Sequence, residues 1–544
     1  MDAHSSPTMA ARAWRAAGTG VHIGTTLARR GFLKPGHPVR MVRHLATLRH
    51  WGFGLPGGFA AAARRAPFAA AVIDDDGELT WSELDERADA LAHALAEHGA
   101  EPRLAVLCRN HRGLVLAVAA AGKIGADLVL LNTGLSAQQL CASLRAHRAS
   151  VVIADAEFLP LLDGVGVPVV SADADGETTL DDLVARGAGE PHRRPPRYGH
   201  TIMLTSGTTG NPKGARRPDP ALHSLTAMLS RIPLRVGDRI HIPAPMFHAW
   251  GFAAMQLAVA LRATMVLRRR FEPADLLATL DRRRCTAMFA VPVMLQRLLE
   301  VDAAERRRHD TAALRVVATA GSALPGDFAH RFMDAFGEVL YNLYGTTEVS
   351  WASIARPAEL RRAYGTSGRP PHGTRIVLLD ADGAEVPRGH TGRIFVGNEM
   401  LFDGYTDGSG RALRDGTMDT GDLGHLDAEG LLFVDGRGDD MIISGGENVY
   451  PLEVESLLDR MPGVREAAVI GVDDDAWGQR LVAYVVAEPG RCLGADDVRD
   501  HVRKRLARFS VPRDVHFIDE LPRNAVGKIV PRLLTPPDRP VTGE

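Results

Sequence analysis

The chain has 544 residues, a formal net charge of −2, and apolar and charged fractions of 45% and 24%. That length exceeds what one hydrophobic core holds, so two or three domains are expected. The balanced charge excludes a global drive toward nucleic acid or acidic lipid and leaves only local patches. Cys108, Cys141, Cys285 and Cys492 are too scattered for a disulfide framework or a paired metal site, which fits a reducing, cytoplasmic setting.

Residues 1–60 read as a basic, amphipathic extension, with eight Lys or Arg against a single acid, Asp2, in the first fifty positions. Val39, Val42, Leu45, Leu48 and Trp51 recur every third residue and predict one apolar helical face, with Arg40, Arg43 and Arg49 beside it. Two readings stay open: a helix lying on an anionic membrane surface, or one packed on the main domain. No compact apolar h-region predicts a secretory signal. Lys123 and Asp127 interrupt the longest apolar stretch, so no membrane span is expected.

From about 60 to 200, short apolar runs alternate with Ala/Leu-rich stretches. Ala71–Ile73, Leu104–Leu107, Leu128–Leu131 and Val151–Ile153 read as strands, and Trp81–His98 as a helix with Thr80 at its N-cap. This is α/β patterning with a mostly parallel sheet. The Pro- and Arg-rich stretch Glu190–Tyr198 reads as an exposed linker.

The strand-like Ile202–Leu204 then empties into Thr205, Ser206, Gly207, Thr208, Thr209 and Gly210, followed by Asn211, Pro212, Lys213 and Gly214. Small residues with free backbone N–H groups can form a concave nest, hydroxyls add donors, and a lysine brings a compact charge to a polyanion. The bland alternative is a surface turn. It is not a Walker loop, because Lys213 lies between Pro212 and Gly214.

Further strands are expected at Arg239–Ile242, Met265–Leu267, Ala287–Val291 and Val316–Ala320, the last running into Gly321, Ser322 and Ala323. His248, Trp250 and Gly251 sit in an apolar setting, where a lone histidine is often only a hydrogen-bonded core residue. Val339–Glu348 ends a strand in Asn342, Tyr344, Gly345, Thr346, Thr347 and Glu348, and strand ends are where open α/β sheets place ligands. Residues 365–436 carry many glycines and short strands, with turns at Asp382–Gly383 and Glu429–Gly430, hence a small β subdomain. Asp422 closes a tight turn within it and could accept from a ribose diol or merely form an Asx-turn. A Gly-rich loop, Ser444–Val449, precedes a helix opened by Pro451, and the last hundred residues suffice for a small domain ending near Gly527 and Lys528.

Together these stretches resemble the adenylate-forming superfamily of acyl-CoA synthetases, most of all its fatty-acyl-CoA ligases, over roughly residues 65–535. The resemblance implies an α/β fold: an N-terminal adenylate-forming domain (61–436) of two α/β subdomains plus a small β subdomain, and a mobile α+β C-terminal domain (437–535). The extension (1–60) and a disordered tail (536–544) flank them. It implies ATP, Mg²⁺ and coenzyme A, with a medium- or long-chain fatty acid activated as acyl-AMP and passed to the CoA thiol. The alternatives are a fatty-acyl-AMP ligase loading a carrier protein and an aryl-acid CoA ligase. By similarity, Ser206–Lys213 hold the leaving phosphates, and Glu348 with Thr205 holds the metal. Tyr344 and Gly321–Ala323 flank adenine, with Asn342, Gly345, Thr346 and Thr347 completing the nucleotide site; Asp422 and Arg437 hold the ribose. Lys528 bridges carboxylate and α-phosphate, and His248, Trp250 and Gly251 bound the acyl pocket. Asp439 is the hinge, and Ser444, Gly445, Gly446 and Glu447 line the CoA channel. Thr417, Met418, Asp419 and Pro531 depart from the usual pattern. No nucleic-acid partner is expected; residues 1–55 are a candidate peripheral membrane contact, and self-association stays open.

Overall fold

The structure, a computed structural model, describes residues 9–96, 103–187, 194–205, 213–218, 222–324, 326–438, 441–444, 447–474, 478–491, 493–525 and 527–534. The tail at 536–544 lies outside them.

Two largely parallel sheets build the body. The first has seven strands in the spatial order Gly404–Tyr405, Lys213–Arg217, Thr201–Thr205, Asp127–Leu130, Arg103–Leu107, Val151–Ala154, Val169–Ser171. Its last five strands pair in parallel. Leu104–Leu107 and Val151–Ala154 are buried along their whole length, as strands sandwiched between helix layers must be. The second sheet has eight strands and runs Ser353–Ala355, Leu340–Tyr344, Val316–Thr319, Ala287–Ala290, Arg239–His241, Thr264–Val266, Ala70–Asp74, Gly77–Thr80. Only its two outermost pairs are antiparallel. The helix after Thr80 spans Trp81–Ala96 among the described residues and starts as its sequence predicts. The Thr80 hydroxyl accepts the Glu83 N–H at 3.2 Å, and the Glu83 carboxylate accepts the Thr80 N–H at 2.8 Å.

The glycine-rich region forms a five-stranded antiparallel sheet from Arg375–Leu379, Gly392–Gly397, Leu413–Arg414, Thr417–Leu426 and Leu432–Arg437. Its longest hairpin turns through Gly430 at φ +79°, a left-handed conformation that suits glycine. A separate five-stranded sheet, in which Gly478–Ala487 pairs with Val464–Asp474, Ile442–Ser444 and Asp514–Phe517, packs on helices Pro451–Leu458 and Ala495–Arg503 around Val454, Leu458, Val485 and Val498.

Three helices precede the first strand: α1 (Met9–Arg29), α2 (Pro38–Trp51) and α3 (Leu55–Arg65). The single apolar face expected on α2 is divided. Three residues advance a helix by 300°, so a period of three drifts about 60° per step and wraps around it. Trp51 is buried and Leu48 half-buried, whereas Val39, Val42 and Leu45 are exposed. The stretch expected as an exposed linker is anchored to the same helix: Tyr198 Oη donates to the Trp51 carbonyl at 2.5 Å, and Arg194 to that of His50 at 2.8 Å. Among the described residues no helix is long and apolar enough to cross a membrane.

Candidate active site

A cavity of about 1480 Å³ lies where the large α/β body, the antiparallel subdomain and the C-terminal unit meet. Each brings polar and charged groups to it from strands or the turns beside them. The strand Leu340–Tyr344 delivers Asn342 and Tyr344, and the turn after it delivers Gly345, Thr346, Thr347 and Glu348. Gly321, at φ +104°, Ser322 and Ala323 line the neighbouring edge beyond Val316–Thr319. Asp422 comes from the strand Thr417–Leu426 and lies opposite Arg437 on the next strand. Lys528 enters from the C-terminal unit on a small loop: its backbone N–H donates to Asn524 Oδ1 at 2.9 Å, and Arg523 donates to the Gly527 carbonyl at 2.8 Å.

These groups form one charge network. Tyr344 Oη donates to Asp422 Oδ2 at 2.6 Å, and Arg437 Nε lies 3.8 Å from Asp422 Oδ1. Burial raises the Asp422 pKa, and the Tyr344 hydrogen bond, Arg437 and Lys528 only partly offset this. Burial pushes Tyr344 well above the ordinary phenol range, so it remains a donor. Glu348 is also buried, which alone would raise its pKa, but hydrogen bonds led by Tyr405 hold it below the ordinary carboxylate range. Burial and Glu348 in turn push Tyr405 up to about 12. Lys528 reaches water inside the cavity, yet enough protein surrounds it that desolvation, then Arg437, lowers its pKa against the pull of Asp422 and Glu348. Asn342 Oδ1 is buried on the cavity wall without a hydrogen-bond donor among the described residues, an acceptor available to a bound molecule.

His248 stands before the helix Ala249–Ala260 and also lines the cavity. Burial, then Lys528 and Arg217, lowers its pKa to about 4, so the imidazole is neutral at pH 7. Trp250 forms an adjacent apolar wall, held by an Nε1–H donated to the Ala290 carbonyl at 3.0 Å and by Phe289, whose ring centre is 5.0 Å away. Gly251, expected beside them in the acyl pocket, does not line the cavity. A Cβ there would lie 2.3 Å from the Pro245 carbonyl oxygen, so this glycine lets the helix approach the preceding turn.

Ser206, Gly207, Thr208, Thr209 and Gly210 lie outside the described residues, as do Asp439, Gly445 and Gly446. Thr205, Lys213, Ser444 and Glu447 are described by their backbone alone; Thr205 pairs with Lys213 across two antiparallel strands. Asp419, one of the departures, accepts the Gly421 N–H at 3.0 Å and pairs with Arg393, a structural use. Among the described residues one His/Cys/Asp cluster has metal-ligand spacing: Cys108, His111 and Asp155. Its atoms are already committed. His111 Nε2 and Asp155 share a 2.7 Å hydrogen bond, and Arg269 stands 3.3 Å from the other ring nitrogen and 3.4 Å from Asp155, where it would repel a cation.

Residues 59–406 match the family described as "AMP-binding enzyme", and 453–528 match "AMP-binding enzyme C-terminal domain". The chain belongs to the AMP-binding enzyme family. This AMP-binding enzyme is 33% identical to the indoleacetate–CoA ligase of Aromatoleum aromaticum, over 85% of this chain and 94% of that protein. It is 34% identical to a feruloyl-CoA synthase of Amycolatopsis, over 86% of this chain and 96% of that protein. Among solved structures it is similar to the amide bond synthetase McbA of Marinactinospora thermotolerans, with TM-score 0.80 and 28% identity over 88% of this chain and 99% of that one. The anthranilate CoA ligase AuaEII, solved with anthranoyl-AMP, gives TM-score 0.79 and 26% identity over 88% and 95% of the two chains.

In this AMP-binding enzyme two of the cavity-lining arginines that the sequence reading did not single out stand by Glu348. Arg217 ends the strand after the Gly-rich loop and donates to Ser350 Oγ at 2.5 Å; burial lowers its pKa to about 10, with Glu348 opposing. Arg411, in the antiparallel subdomain, is held protonated by Glu348 and Tyr405 against desolvation. In sequence, Arg217 is one of two adjacent arginines and Arg411 sits in an unremarkable Gly-Ser loop, so neither carried a signal.

Proposed function

We propose that this AMP-binding enzyme is an ATP-dependent acid–CoA ligase whose acid is aryl or otherwise ring-bearing. The carrying observation is that Lys528, on the C-terminal unit, shares one cavity with Tyr344, Glu348, Asp422 and Arg437 of the large unit, next to an apolar wall at Trp250. A carboxylate is a poor nucleophile toward an anionic phosphate, so activation requires positive charge around both groups and in-line placement. Lys528 supplies that charge at the carboxylate and α-phosphate, with Arg217 and Arg411 on the phosphate side of Glu348. Attack on the α-phosphorus forms the acyl-AMP anhydride and expels pyrophosphate. The CoA thiol then attacks the acyl carbon and expels AMP. Tyr344 stacks on adenine beside Gly321–Ala323, Asn342 Oδ1 accepts from its exocyclic amine, and Asp422 and Arg437 hold the ribose. The Gly-rich loop from Thr205 to Lys213 takes the β- and γ-phosphates. Asp439 is the hinge, and Ser444–Glu447 line the thiol channel in the second half-reaction.

Glu348 fits a Mg²⁺ site: a buried carboxylate kept ionised by its neighbours is the oxygen donor a hard cation takes. The ion would neutralise phosphate charge. The aryl preference rests on the relatives named above and on the fixed Trp250 indole. The medium- or long-chain fatty acid expected from motifs has no comparable support among them.

The test is AMP release with ATP, Mg²⁺ and a panel of aryl and alkyl acids, with and without CoA. CoA-dependent AMP and an aryl-CoA product support the reading. Acyl-AMP that ignores CoA, or transfers to an added amine, points to a different acceptor, and turnover confined to alkyl acids restores the fatty-acid expectation.

A further inference from the structure

The cavity does not end at Trp250. It continues between the first three helices, where Leu27, Phe32, His44, Leu48 and Phe53 line it, all N-terminal to the family match that begins at residue 59. Phe53 lines the cavity and is also 60% exposed, so its side chain meets both the cavity and the outer surface. The neighbouring surface is apolar: Val39, Val42 and Leu45 on α2 are 50%, 66% and 59% exposed, and Phe68, with Arg40 5.4 Å over its ring, is 78% exposed. It is also free of negative charge in its own sequence. From Ala3 to Ile73 there is no Asp or Glu, against ten Lys and Arg. Arg43 and Arg49 flank the exposed stripe on α2, and Arg65 donates to the Lys34 carbonyl at the N-terminal end of the same helix.

We propose that the outer face of α2, with Phe53 and Phe68, docks on an anionic lipid bilayer, and that the acid substrate enters the cavity from the lipid at Phe53. An exposed apolar stripe bordered by arginines and lacking acids matches the interface of such a bilayer: the apolar side chains enter the acyl boundary and the guanidiniums meet the phosphates. A second copy of the same acid-free surface would bring like charges together, which argues against self-association as its cover. The entry route rests on the acid–CoA ligase reading; the docking surface does not.

The test uses the full chain and vesicles of phosphatidylcholine alone or mixed equally with phosphatidylglycerol. Cosedimentation with the mixed vesicles is expected to be at least about tenfold stronger than with phosphatidylcholine and to weaken with salt. The double variant Val42→Glu, Leu45→Glu should lose that difference with an unchanged melting temperature. It should adenylate dissolved benzoate as the parent does, but show a raised KM for an alkyl-extended aryl acid supplied in vesicles. Equal binding to both vesicle types, no binding, or full retention in the double variant overturns the docking surface. Concentration-dependent dimerisation that the double variant abolishes assigns the face to a second copy and also overturns it. Normal vesicle binding with an unchanged KM for the vesicle-borne acid overturns the entry route. Absence of any acid activation sinks the ligase reading and leaves the binding result standing.

Discussion

Glu348 shows how hydrogen-bond donors, Tyr405 first among them, set the state of a buried carboxylate. Burial drives it toward the neutral form and Tyr405 drives it back. Removing that donor with Tyr405→Phe should raise the Glu348 pKa. Its charge is then lost at a higher pH on acidification, so the acid limb of kcat/KM for ATP should move to higher pH and the Mg²⁺ requirement should rise several-fold. An unshifted profile would disconnect Tyr405 from the site. His241 is the opposite case. Burial lowers its pKa from an ordinary 6.5 to about 4, against the Val266 carbonyl that accepts its Nδ1–H at 2.8 Å. Between those values the unfolded chain takes up the proton more readily than the folded one. The stability is therefore complete above about pH 6.5 and declines as pH falls toward 4, by on the order of 3 kcal/mol. Urea midpoints at pH 7 and pH 4.5 check this, and His241→Gln should show the smaller loss.

At the scale of elements, the helix Ala249–Ala260 carries the apolar wall and is placed by contact between backbones. Gly251→Ala would drive a Cβ into the Ala244 and Pro245 carbonyls, 2.5 and 2.3 Å away, so the helix must shift outward. The expected outcome is a loss of about 1–3 kcal/mol in stability together with a changed acid preference, since Trp250 and His248 move with it. Calorimetry and a comparison of kcat/KM over the acid panel read the two effects. The helix Ala137–Ala146, none of whose residues lines the cavity, gives a comparison. Its capping box joins Ser136 and Gln139, and Ser136→Ala should cost about 1 kcal/mol without altering kinetics.

Across the whole molecule, the proposed chemistry depends on how the C-terminal unit sits against the body. Gln296 donates to Glu466 at 3.0 Å across that boundary, and Glu466 also accepts from Arg523 at 2.6 Å, at the base of the Lys528 loop. Lys528→Ala should abolish adenylate formation while supplied acyl-AMP and CoA still yield thioester. Gln296→Ala should slow the first half-reaction several-fold and spare the second, because it loosens only this orientation of the two units. Equal losses in both half-reactions, read by pyrophosphate release and thioester formation, would remove the two-orientation mechanism.

Residues 342–348, Asp422, Arg437 and Lys528 stood out in the sequence because local composition departs there from its surroundings, and the structure brings them to one cavity. The strands were legible because buried parallel strands are short continuous apolar runs. What the sequence by itself determined was therefore the α/β architecture, since it follows from local residue type and periodicity, together with the residues that were candidates for the cavity. Only the tertiary structure decided that Arg217 and Arg411 face Glu348, that Gly251 serves packing, and that the period of three on α2 splits into a buried and an exposed side. Those outcomes depend on the direction in which a side chain leaves the backbone and on what stands opposite it, which local residue type does not record.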